Sequence, residues 1–158
     1  FIIATLSCTL EQMSLITSVR KTLYGTPETF VPNEVVHFDI FLLYAFANNH
    51  HLYLALPDGP AEANDTAIYQ AVLAPTGLTA VTEIFRVTPS KDTPAHYGGK
   101  LAFLADGTLL LSTGDGFEYR EASQDPFSQL GKILRLKTDG SVPENNPFAD
   151  TKNGNPYD

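Results

Sequence analysis

The sequence TPAHYGGKLAFLADGTLLLSTGDGFEYREASQDPFSQLGKILRL, which runs from Thr93 to Leu136, contains two apolar runs of strand length. They are Lys100–Leu104 and Thr108–Thr113, and the residues between them include Asp106-Gly107. An Asp-Gly pair between two apolar runs is one of the strongest short-range signals of a β-hairpin. We therefore predict an antiparallel hairpin in this segment.

A histidine precedes the first of these runs and an aspartate follows the second. Because a hairpin begins and ends at the same edge, His96 and Asp115 are predicted to be neighbours at one rim of the sheet. An imidazole within reach of a carboxylate can act as a general base with an orienting partner. The alternatives are a structural or merely exposed histidine, and an aspartate that only stabilises the Thr-Gly-Asp-Gly turn.

Outside the hairpin, further segments combine β-branched, aromatic and apolar residues over strand lengths and are bounded by turn residues. These segments are His51–Leu56, Thr66–Leu73, Leu78–Arg86 and Gly131–Leu136. Together with the hairpin they make six short strands, with no strong helical pattern among them. The pattern predicts an all-β fold, which could be a sandwich, a barrel or a propeller.

Residues 1–49 carry a weaker pattern. Glu11–Leu23 has apolar residues at roughly helical spacing and predicts a short helix. Val35–Ala47 is strongly apolar and fits either a buried pair of strands or a buried helix. The start, Phe1–Cys8, fits a buried strand or the end of an export signal.

Composition limits the class of partner. The 158 residues are 43% hydrophobic and 18% charged, as expected of a folded domain. A net charge of −8 argues against nucleic acid, whose phosphates require a basic surface. No apolar run approaches the ~20 residues of a membrane span, and a single cysteine cannot form an internal disulfide.

Two longer motifs extend the interpretation. HYGGKLAFLADGTLLLSTGD begins at His96, and QDPFSQLGKILRLKTDGSVPENNPF begins at Gln124. In this order and spacing they resemble the soluble quinoprotein sugar dehydrogenases, the glucose/sorbosone or aldose sugar dehydrogenase family, from about His51 to Pro147. The resemblance implies a six-bladed β-propeller that binds pyrroloquinoline quinone (PQQ) and calcium.

The resemblance also implies how the chain is divided. One propeller blade takes ~40–50 residues, so we expect roughly two to three blades of a longer, truncated ring. Residues 1–49 would be a poorly matched N-terminal segment, and residues 50–158 would be propeller blades. We expect the 158-residue piece alone to be inactive.

By the same resemblance, His96 is the catalytic base that takes the proton of the sugar's anomeric hydroxyl, and Asp115 orients it. Lysine stands at position 100, where many family members carry arginine. No metal ligand is assigned in this segment, because the calcium ligands are expected mostly outside it. The residues expected to bind the cofactor are Gly98, Gly99, Lys100 and Gln124.

The function implied is oxidation of the anomeric carbon of aldose sugars to lactones, by hydride transfer to PQQ. The expected partners are a small sugar and an electron acceptor, and the expected location is the periplasm or the exterior of the cell. One alternative is a non-catalytic propeller that binds carbohydrate or protein. Another is a propeller hydrolase of the lactonase type.

Overall fold

The computed structural model describes residues 2–4, 10–13, 20–23, 39–42 and 46–158. The regular structure in these residues is mostly β-strand. They also contain one four-residue α-helix, α1 (Phe46–Asn49), and one 3₁₀ helix (Arg120–Gln124). The strands are β1 (Ile2–Ala4), β2 (Leu10–Met13), β3 (Arg20–Leu23), β4 (Asp39–Leu42), β5 (His51–Asp58), β6 (Asp65–Ala74), β7 (Gly77–Arg86), β8 (Gly98–Phe103), β9 (Leu109–Thr113) and β10 (Ile133–Leu136). Neither of the described helices is long and apolar enough to cross a membrane.

The described strands form three antiparallel sheets, each with its strands in chain order. Their orders are β1-β2-β3, β4-β5-β6-β7 and β8-β9-β10. The four-stranded sheet is an up-and-down meander, which is the architecture of a propeller blade. It takes β4 from the first 49 residues, so the predicted boundary at residue 49 falls between two paired strands.

The six strands predicted from His51 onward are confirmed, with ends shifted by at most two residues. The helix predicted over Glu11–Leu23 is wrong, because both described parts of that range are strands. β2 pairs on one side with β1 and on the other with β3, and this pairing overrides the weak helical spacing. Residues 14–19, between the two strands, lie outside the described residues.

The two other uncertain segments of the N-terminal part are partly described. Val35–Ala47 contains one strand, β4, and the first residues of α1, while its remaining residues lie outside the described part. Near the start of the chain Ile2–Ala4 is a strand, and Cys8 lies outside the described residues. The choice between a buried strand and an export signal at Phe1–Cys8 stays open.

The strand β5 is buried on both faces, and one of these faces packs the second sheet against the third. Leu52, Leu54 and Leu56 point to one face, where they pack with residues of β6 and β7. Tyr53 and Ala55 point to the other face and belong to a core shared with β9 and β10. The members of β9 and β10 in this core are Leu109, Leu111, Leu134 and Leu136, all with 0% exposure. Burying a side chain of this size contributes about 1.5–3 kcal/mol, so β9 is firmly anchored.

The predicted hairpin is confirmed by β8 and β9. Its turn closes through the Leu104 N–H, which donates to the Thr108 carbonyl at 2.8 Å, and the Gly107 N–H, which donates to the Leu104 carbonyl at 3.0 Å. Gly107 has a φ of 82°, a conformation that glycine adopts without strain. The far end of the hairpin, where β8 begins and β9 ends, carries the candidate site.

Candidate active site

His96 and Asp115 meet at the rim of the hairpin, as predicted. His96 Nδ1 lies 2.8 Å from Asp115 Oδ1, and the same oxygen accepts the Phe117 N–H at 2.9 Å. An ionised carboxylate only accepts hydrogen bonds, so the bond assigns the imidazole proton to Nδ1. In the neutral imidazole, Nε2 then carries the lone pair that can accept a proton.

Neighbouring groups stabilise the negative charge of Asp115 next to the His96 ring. The Phe117 N–H and the His96 ring lower the pKa of the Asp115 carboxyl, with a smaller contribution from Arg120. The carboxylate is therefore ionised at neutral pH and can stabilise a positive charge on the imidazole. The His96 side chain is 48% exposed and that of Asp115 28%, so a ligand can reach the pair from solvent.

Backbone hydrogen bonds fix the two loops that carry the pair. The Gly114 N–H donates to the Tyr97 carbonyl at 3.0 Å, and the Gly116 N–H donates to the His96 carbonyl at 3.3 Å. A Cβ on Gly114 would lie 1.7 Å from the His96 oxygen, so only glycine allows this approach. His96 itself has a φ of 50°, a conformation that surrounding contacts must maintain.

Phe117 was not predicted as part of the site, but its ring packs edge-on against the imidazole. The two ring centroids are 5.3 Å apart at an interplanar angle of 87°. The Arg120 guanidinium lies 4.7 Å from the centroid of the Phe117 ring, and both residues are exposed. Phe117 has a φ of 65°, which no sequence pattern indicated.

A cavity of about 530 Å³ opens beside the pair. Its walls come from the loop before β8, the end of β9 with the turn that follows, the 3₁₀ helix and the start of β10. The lining residues are His96, Ser112, Thr113, Gly114, Asp115, Ser123, Gly131, Lys132 and Ile133. Pockets for small ligands commonly have volumes of about 300–1,000 Å³.

The four residues predicted to bind the cofactor are not among this lining. Gly98 pairs with Thr113, and a register shift follows it in β8, where Gly98 and Gly99 have φ values of 74° and 92°. Lys100 is exposed, and its backbone N–H donates to the Ser112 hydroxyl at 3.1 Å. Gln124 is exposed at the end of the 3₁₀ helix. Their role in cofactor binding stays a prediction.

Lys132 lines the cavity but was not predicted from the sequence. Its Nζ donates to the carbonyls of Ala122, Ser123 and Leu130, at 3.0, 3.1 and 3.2 Å. An ammonium group has three protons, so these bonds use all of them. Lys132 therefore fixes the 3₁₀ helix against β10. Only its place in the Leu-Gly-Lys-Ile motif could have indicated it.

Comparisons with known proteins identify the family of the chain. The sequence matches the Glucose / Sorbosone dehydrogenase family over residues 1–157. It is 30% identical to the aldose sugar dehydrogenase YliI of Escherichia coli over 130 residues, which are 80% of this chain and 34% of that protein. It is 39% identical to the uncharacterised protein slr1608 of Synechocystis over 119 residues, which are 70% of this chain and 29% of that protein.

Solved structures are similar over nearly the whole chain. The soluble aldose sugar dehydrogenase of E. coli in its apo form matches with a TM-score of 0.84 and 25% identity, over 94% of this chain and 44% of that one. The PQQ-bound aldose sugar dehydrogenase of Streptomyces coelicolor matches with a TM-score of 0.78 and 25% identity, over 99% of this chain and 45% of that one. The predicted all-β partial six-bladed propeller is confirmed.

The chain spans about a third of the length of the curated relatives that it matches. The family match begins at residue 1, so it includes the first 49 residues as well as the motifs around His96. The chain therefore belongs to the glucose/sorbosone dehydrogenase family.

Proposed function

We propose that the chain is part of a PQQ-dependent dehydrogenase that oxidises the anomeric carbon of an aldose to a lactone. The observation that carries the proposal is the His96–Asp115 pair, joined at 2.8 Å beside a cavity of ligand size. Family membership and the PQQ-bound relative support the same chemistry. A sugar and an electron acceptor are the proposed partners.

The residues of this chain fit a cofactor that carries carboxylates. The Lys100 backbone binds Ser112, which lines the cavity, and Arg120 lies close enough to Asp115 to lower the pKa of its carboxyl. Both residues are exposed and carry a positive charge, although neither lines the cavity, and a carboxylate requires a cation as its partner. We include Gly98, Gly99 and Gln124 with Lys100 as proposed cofactor-binding residues. When bound, PQQ supplies the two-electron acceptor.

In this mechanism the protein prepares the sugar to lose a hydride. The unprotonated Nε2 of His96 takes the proton of the anomeric hydroxyl, and the anomeric carbon, which then bears an alkoxide-like oxygen, loses its hydride more easily. Loss of that proton and the hydride converts the hemiacetal to a lactone. Asp115 holds the imidazole through Nδ1 and stabilises the positive charge that the transfer creates.

Calcium and an export destination belong to the same proposal. Among the described residues, no three His, Cys, Asp or Glu side chains are grouped so that they could hold a metal ion. We propose that calcium acts together with the quinone in the whole protein, with ligands mostly outside this chain. We also propose a periplasmic or secreted location.

Replacing the base in the full-length protein tests the proposal. His96→Ala is expected to lower kcat about 10²–10⁴-fold while PQQ still binds, because general-base catalysis contributes that much. The measurements are dye reduction with glucose and quinone absorbance after gel filtration. His51→Ala, at the start of β5, is the matched histidine control and is expected to keep its activity.

The alternatives give different results in the same assays. A propeller that only binds carbohydrate or protein would show no turnover and no effect of His96→Ala. A lactonase would hydrolyse lactones with a metal alone and gain nothing from PQQ. Either result would refute the dehydrogenase.

A further inference from the structure

A buried lysine lies behind the loop that carries His96. Lys91 is 3% exposed, and its Nζ donates to the side-chain oxygen of Asn64 at 2.7 Å and to the backbone carbonyl of Thr93. The same ammonium lies 3.4 Å from the centroid of the Tyr97 ring, a cation–π contact. Every polar contact described for this ammonium is therefore with Asn64, which precedes β6, or with the loop that contains His96.

The partners of Lys91 are connected to one another. Asn64 is fully buried, and its side-chain oxygen also accepts the Tyr97 hydroxyl at 2.8 Å. The Asn64 backbone pairs with that of Lys91 in both directions, at 2.8 and 3.0 Å. Thr93 and Tyr97, which flank His96, are thus tied through Lys91 and Asn64 to the start of β6, inside the blade.

The network reaches the turn of Asp115 as well. The Thr93 hydroxyl donates to the Gly116 carbonyl, and the Gly116 N–H donates to the His96 carbonyl at 3.3 Å. The stem of Lys91 runs beside Gly116, where a Cβ would lie 2.7 Å from the Lys91 Cδ. Lys91 therefore contacts the segments on both sides of the His96–Asp115 hydrogen bond without touching either side chain.

A buried ammonium is costly unless it is compensated, and this one is compensated in part by charge. Asp65, beside Asn64, is close enough to oppose the lowering of the pKa of Lys91 that burial causes. Lys91 does not line the cavity, so it has no direct role toward a ligand there. A buried lysine retained in such a place points to a positioning role.

We infer that Lys91 is a positioning residue that holds His96, which lines the cavity, in the orientation where Nδ1 bonds Asp115. The part of the inference that concerns catalysis rests on the proposed function. The part that concerns the imidazole does not, and it can be measured without substrate or cofactor.

The direct test is nitrogen NMR of the His96 ring in the full-length protein. The wild type is expected to show a slowly exchanging Nδ1–H and an unprotonated Nε2. In Lys91→Met, which keeps the stem but removes the charge and the donors, we expect the Nδ1–H signal to broaden or vanish. The control is Asn146→Ala, which removes a 5%-exposed side chain that donates to the carbonyls of Arg135 and Pro156, away from the His96 loop.

Kinetics supply the second measurement. Misplacing a catalytic group by about 1 Å costs up to 10²-fold, so Lys91→Met is expected to lower kcat about tenfold or more, with a changed acid limb in the pH–rate profile. The KM for sugar is expected to change less than about twofold, because Lys91 touches no ligand. Asn146→Ala is expected to lower the Tm but to keep kcat and the pH profile.

A purely structural lysine would give a different set of results. If Lys91→Met lowers the Tm and leaves the Nδ1–H signal and the pH profile as in the wild type, the inference is wrong. If that variant does not fold, Thr93→Val removes only the hydroxyl bond to Gly116 and must change the Nδ1–H signal in the same direction. A wild type that oxidises no sugar would refute the proposed function alone, since the NMR measurement still decides the role of Lys91.

Discussion

At the scale of single residues, the proposed function depends on which ring nitrogen of His96 carries the proton. Asp115 decides this, because its Oδ1 accepts from Nδ1 and from the Phe117 N–H together. The second bond holds the carboxylate in place when the imidazole changes its charge. In the proposed mechanism Asp115 therefore both orients the base and stabilises its protonated form.

Asp115→Asn is expected to lower kcat by at least about 10²-fold in the full-length enzyme. The amide has nearly the same size, but it lacks the charge and can present an N–H to Nδ1, which favours the wrong tautomer. Steady-state dye reduction gives the value, and quinone absorbance shows whether the cofactor is retained. Asp150→Asn, an exposed carboxylate near the end of the chain, is the control. Equal activity of the two variants would contradict the assigned role of Asp115.

At the scale of elements, the hairpin is secured at its turn as well as at the end next to His96 and Asp115. Asp106 Oδ1 accepts the Thr108 N–H at 2.9 Å, and its Oδ2 accepts from Arg135 of β10 at 2.6 Å. The Thr108 hydroxyl and N–H, with Arg135, lower the pKa of the Asp106 carboxyl to about 2. The turn thus links β8, β9 and β10 through one carboxylate.

The lowered pKa of Asp106 predicts a pH dependence of stability. A carboxyl whose folded pKa lies below its unfolded value of about 3.9 stabilises the fold above that value and loses this effect as the pH falls through about 2. The Tm of the wild type should therefore exceed that of Asp106→Asn at pH 5, and the difference should shrink as the pH falls from about 4 to about 2. Thermal scans by circular dichroism measure it. A difference that stays constant over this range would contradict the assignment.

The same elements show what the sequence could predict. Alternating apolar residues bounded by turn residues located β5 to β10, and hairpin geometry then placed His96 beside Asp115. The helix prediction over Glu11–Leu23 failed because the spacing of its apolar residues fits a helix or a strand, and the pairing of β2 with β3 decided between them. Phe117 was missed because its place beside the imidazole depends on a left-handed backbone conformation that its own residue type does not indicate.

At the scale of the whole molecule, the chain supplies one part of a ring. Its alignments with two solved relatives include 94–99% of this chain but only 44–45% of theirs. The His96–Asp115 pair faces a cavity that these residues only partly enclose, since the His96 side chain is 48% exposed. Long-range ties such as that of Lys91 to Asn64 were beyond prediction, because they join loops whose packing follows from the assembled sheets.

Residues 1–158 produced alone are expected to show no PQQ-dependent dye reduction with glucose, even with added calcium. Catalysis requires water to be excluded and the cofactor to be held from more than one side, which a partial ring does not provide. The full-length protein under the same conditions is the positive control. The measurement is made on a preparation whose circular dichroism shows β-sheet, and measurable turnover by the piece would refute this expectation.

The tight packing at Gly114 and Gly131 limits which residues can line the cavity at these two positions. At either position an added methyl group would overlap a neighbour, at 1.7 Å from the His96 oxygen and at 2.5 Å from the Ser123 Cβ. The wall that carries the base thus has no spare volume in which a larger residue could be accommodated. Ile133 lines the same cavity and is 59% exposed, so we expect that a change of the pocket's shape is easier to accommodate there than at either glycine.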